Sequence, residues 1–75
     1  MTTAPEYTHK DGVIYYGRKF RMSRACALVM LDDHRNEYRR AFNARDMQAA
    51  SVAIHASNDL AAALEEQARW AKVTI

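Results

Sequence analysis

One thiol, three imidazoles and nine carboxylates are the side chains of this chain suited to covalent or acid–base work. Cys26 is the only cysteine, so no intrachain disulfide can form. A nucleophilic thiol needs an electropositive, exposed setting and a base within reach. Cys26 instead stands between Ala25 and Ala27 in an apolar stretch, and the expectation is a small buried residue. His34 shares a helical stripe with Leu31 and Tyr38, which predicts a satisfied, partly buried histidine or an interface residue rather than a catalytic base.

A metal centre needs three or four converging ligands. His9, Cys26, His34 and His55 show no CxxC, HxxxH or related spacing. Glycine-rich phosphate loops, GxSxG and paired catalytic carboxylates are equally missing from the sequence. Asp32, Asp33 and Glu37 fall at helical spacing from Arg35, Arg39 and Arg40, the pattern of a solvated face. The expectation is therefore no catalytic residue, no metal, no cofactor, and a protein that is not an enzyme.

Two features suit binding. Tyr16, Lys19 and Arg21, with Arg18 in a turn, interleave aromatic and basic residues on a short strand surface that could stack on bases and neutralise phosphates. Lys and Arg on such strands also guard an edge against aggregation. Trp70 lies off the main apolar seam of its helix and is either a cover for the core or an anchor for another chain.

The charge is asymmetric. Residues 10–45 hold nine basic and four acidic side chains, residues 46–75 two basic and four acidic. A basic front half can meet an anionic partner, or complement the acidic back half within one fold. Of 37 apolar residues 14 are Ala, which leaves 23 larger side chains for a core. So small a domain commonly gains stability by oligomerisation. No apolar run approaches the roughly 18 residues of a membrane span. The start lacks the apolar region of a secretory signal, so a cytoplasmic setting is expected.

These side chains must be positioned by short strands and long helices. Residues 1–6 carry no periodicity and read as a loose terminus. Asp11-Gly12 is a strong two-residue hairpin turn and Gly17-Arg18 a second, between β-forming segments near 7–10, 13–16 and 19–22. A two-residue second turn sets Tyr15 opposite Phe20 and Val13 opposite Met22. That makes one apolar face, with Ile14, Tyr16, Lys19 and Arg21 on the other.

After Met22 there is neither Gly nor Pro, and the period becomes helical. Ser23 is the expected N-cap of a first helix over 23–42, striped by Ala27, Leu31, His34, Tyr38 and Ala41/Phe42. Its start is apolar all round, which predicts a helix wedged between the sheet and a second helix. Asn43 with Asp46 resembles a capping box. Met47, Ala50, Ile54, Ser57, Ala61, Leu64, Ala68 and Ala71 then keep an unbroken 3–4 rhythm, so one helix over 46–72 is favoured despite Ser57-Asn58-Asp59.

The expected fold is a single α+β domain over residues 1–75: an N-terminal antiparallel β-meander over 7–22, then an antiparallel two-helix hairpin. Glu65 and Glu66 should approach Arg21 and Arg24. In general cast the chain resembles the small regulators of bacteria and their phages. The expected function is a non-enzymatic regulator or inhibitor that masks a surface on a larger host or cellular protein and acts as a homodimer. Its candidate contacts are Tyr16, Arg18, Lys19, Arg21, Arg35, Arg39 and Trp70. The alternative is a nucleic-acid-binding transcriptional regulator that uses the basic hairpin and Arg-rich first helix.

Overall fold

The computed structural model describes residues 7–17 and 20–74. The fold is α+β, with a three-stranded antiparallel sheet followed by a helical hairpin. The strands β1 (Tyr7–Lys10), β2 (Val13–Tyr16) and β3 (Phe20–Met22) lie in chain order. Lys10 pairs with Val13, leaving Asp11-Gly12 as the two-residue turn. Both turn residues have positive φ, 51° and 83°, as a type I′ turn requires.

The second hairpin differs from expectation. Tyr16 pairs with Phe20, so three positions rather than two separate the paired residues, and Gly17 has φ 66°. Tyr15 therefore pairs with Arg21 and Ile14 with Met22. Side chains alternate along a strand, so this one-residue shift changes which face of β3 meets each face of β2. Tyr7, Ile14 and Met22 turn toward the helices, and Val13, Tyr15 and Arg21 turn away. Ile14 is fully buried, whereas the expected inward residue Tyr15 stays half-buried.

Helix α1 (Arg24–Asn43) starts where Ser23 takes extended backbone and its hydroxyl accepts the Cys26 N–H at 3.1 Å. It ends in a Schellman arrangement. Asp46 N–H donates to the Ala41 carbonyl and Arg45 N–H to that of Phe42, with Arg45 at φ 60°. Asp46, not Asn43, caps α2 (Met47–Thr74): its carboxylate accepts the Ala49 N–H at 3.1 Å. Asn43 is spent as the last residue of α1. Helix α2 runs through Ser57-Asn58-Asp59 without a break.

The core joins Tyr7 and Ile14 of the sheet, Ala27 and Leu31 of α1, and Ala56, Leu60, Ala63 and Leu64 of α2. Helix α2 carries both neighbours, α1 along one flank and β1 along another. Its buried stripe accordingly includes Ala53, Ala56, Leu60 and Ala63, one position behind the expected seam. Of that seam Ala50, Ser57 and Leu64 are buried. Ile54, Ala61 and Ala68 are only half covered, and Met47 is exposed.

Helix α1 is not the wedge. Leu28 is 48% and Val29 61% exposed, because the sheet rests chiefly on α2. Cys26 is likewise exposed rather than buried. No helix among the described residues is long and apolar enough to cross a membrane.

Candidate interaction surface

Two polar clusters hold the sheet to the hairpin. At the start of β1 the Tyr7 N–H donates to Asp59 Oδ2 at 2.6 Å, and the Tyr7 hydroxyl bonds His34 Nε2 at 2.6 Å. The polar triplet that looked like a helix stop thus supplies the acceptor for an incoming strand. Burial pushes the Tyr7 phenol up from its usual 10 to about 12, aided by Tyr16, Asp59 and Cys26. His34 is the half-buried, satisfied histidine expected of its stripe.

The second cluster surrounds the β1–β2 turn. Gly12 N–H donates to His9 Nε2 at 2.9 Å, and Gln67 donates to the Gly12 carbonyl at 2.8 Å. The same Gln67 accepts from Arg24 at 2.9 Å, so one amide ties the turn, α2 and the start of α1. Glu66 Oε2 lies 3.8 Å from His9 Nδ1. Trp70 packs on Gly12 and meets His9 edge-on at 6.4 Å between ring centres. Arg24 therefore reaches Gln67, and Glu66 reaches His9, in place of the expected approach of Glu65 and Glu66 to Arg21 and Arg24. Trp70 sits over the first turn.

The expected binding residues do not share one face. Arg18 and Lys19 lie outside the described residues. Tyr16 pairs with Phe20 on the inward face and packs against Tyr7 at 5.5 Å, while Arg21 points to the opposite face beside Tyr15. Arg35 and Arg39 are exposed on α1. Arg40 pairs with Glu37, whose carboxyl its hydrogen bond holds below the usual range. Trp70 is 40% exposed.

What the geometry does assemble is apolar surface. Phe20, Leu28 and Val29 are exposed near the sheet end of the molecule, Phe42 and Met47 at the helical turn. A shallow groove of about 400 Å³ is lined by Ala49, Val52, Ala53 and Ala56 together with the polar His34, Glu37, Asp46 and Gln48. No cluster of three metal-binding side chains occurs among the described residues. Comparison with protein-family models, with curated proteins and with solved structures finds no match.

Sequence reasoning missed the roles of Gln67 and Asp59 and the packing of Trp70 on Gly12. Asp59 had a signal, a carboxylate interrupting an otherwise apolar phase. Gln67 and the Gly12–Trp70 contact had none, since both depend on where a distant turn lands on α2.

Proposed function

We propose that this chain is a non-enzymatic protein-binding regulator or inhibitor, of bacterial or phage type, working in the cytoplasm as a homodimer that covers a surface on a larger protein. The supporting observation is the exposure of Phe20 (67%) and Val29 (61%) at the sheet end, where Trp70 is also partly open. Large apolar side chains at an accessible end are the material of interface hot spots. Desolvating them drives association with little dependence on salt, unlike phosphate contacts.

The nucleic-acid reading keeps one observation in its favour. Tyr15 lies between Thr8 and Arg21 on the outward sheet face, an aromatic beside a base. Capture from source-cell lysate, with and without nuclease, tests both. The protein-binding reading expects one protein to be retained after nuclease and in high salt, and lost with Phe20→Ala/Val29→Ala. Retention that vanishes with nuclease, or with Lys19→Ala/Arg21→Ala, would transfer the function to nucleic acid.

A further inference from the structure

The sheet occupies one face of the helical hairpin. Asp59, Glu66 and Trp70, which hold the strands, all lie on one flank of α2. Met47, Ile54, Ala61 and Ala68 recur every seven residues, about two helical turns, along another edge. That edge is exposed at Met47 and only half covered at the other three. The spacing of α1 sets Leu28, Arg35, Arg39 and Phe42 beside it, on the flank away from Met30 and His34. The hairpin face opposite the sheet thus carries an apolar stripe that this chain leaves open.

We infer that a second copy of this chain covers that face by antiparallel, two-fold packing, giving a four-helix bundle with a sheet on each outer side. The inference rests on the homodimer reading above and assigns its surface.

Size complementarity points to a copy rather than another partner. The open face is bulky at the helical turn, where Phe42 and Met47 project. At the sheet end, Ala61 and Ala68 leave it shallow beside Leu28. A two-fold axis midway between Ile54 and Ala61, and between Leu28 and Arg35 on α1, lays the bulky end of each protomer on the shallow end of the other, as an isologous interface requires. Charge agrees with this, since exposed Glu65 near one end comes over exposed Arg39 near the other.

Area agrees as well. Helix α1, with 20 residues, sets the length over which two helices lie side by side, about 30 Å. Two packed helices present a strip roughly 20 Å wide. The face therefore offers on the order of 600 Å², at the lower end of the share one partner gives to a stable complex. The alanines let helices approach at the short end of the usual spacing, as in other four-helix bundles.

Sedimentation equilibrium on the full chain tests the assignment. Ile54→Glu or Ala61→Glu should weaken the dimer by roughly 100-fold, because each buries an unpaired carboxylate. Val29→Glu, away from the face, should leave it unchanged. A dimer that survives Ile54→Glu and dissociates with Val29→Glu would overturn this face while sparing the homodimer reading. A monomeric wild type would overturn both. Should Ile54→Glu fail to fold, oxidation of Cys26→Ser/Phe42→Cys/Ala68→Cys replaces it. A covalent dimer supports the antiparallel packing, and failure to cross-link while the protein sediments as a dimer overturns it.

Discussion

Trp70 lies so close over Gly12 that a Cβ on Gly12 would stand 2.6 Å from its ring. The glycine is required twice, by that approach and by its φ of 83°. Gly12→Ala should therefore destabilise the fold by ~2 kcal/mol or more, combining left-handed strain with overpacking. Trp70→Ala in the same background should recover the steric part alone. Urea unfolding of the four members of this cycle measures the coupling, and strictly additive losses would contradict the contact.

His9 Nε2 faces a backbone N–H donor, so its proton belongs on Nδ1, toward Glu66. Imidazole nitrogen NMR should show the Nδ1–H tautomer. An Nε2–H tautomer would contradict the geometry.

The Tyr7 phenol is raised in the folded state, from 10 to about 12. The folded chain therefore holds this proton where the unfolded chain releases it. The associated stability is fully present below pH 10 and is lost as pH rises toward about 12. Urea midpoints across that window should fall, and Tyr7→Phe should flatten the fall. The variant should also be less stable near neutral pH by ~1–3 kcal/mol, because His34 loses its partner.

Arg45 adopts φ 60° at the position where helices commonly end in glycine. Arg45→Gly relieves a left-handed strain of ~1–2 kcal/mol, offset in part by the greater freedom of glycine in the unfolded chain. A modest gain in thermal midpoint is expected. A loss would mean that the Arg45 side chain contributes more than its backbone costs.

Ala56 faces the sheet in the core at 1% exposure, whereas Ala61, on the expected seam, is only half-buried. Ala56→Leu should overpack the core and cost ~1–3 kcal/mol. Ala61→Leu should be milder for the isolated chain. Thermal denaturation of the pair ranks them, and the reverse order would restore the original seam.

What could be read ahead of the structure was local. Asp11-Gly12 admits few alternatives as a turn, Ser23 precedes an unbroken helical period, and the phase of α2 passes through Ser57-Asn58-Asp59. The rest depended on contacts between distant segments. Gly17 serves a two-residue or a three-residue loop, and that single residue decides whether Ile14 or Tyr15 enters the core. Alanine occurs on nearly every side of α2, so the stripes through Ala56 and Ala61 fit the same period. An apolar start to α1 does not say which sides are covered, and Cys26, Leu28 and Val29 proved to be the open ones. The split of Tyr16 from Arg21 follows from the same loop and takes apart the basic-aromatic face on which the nucleic-acid reading relied.

Apolar surface that one chain leaves open is the basis of the proposed homodimer. Light scattering over a concentration series, at low and at high salt, reads it directly. The prediction is a mass of twice 8.6 kDa at micromolar concentration, held or strengthened by salt because the contacts are apolar. A mass of one chain at every concentration, or a dimer that dissociates as salt is added, would contradict it.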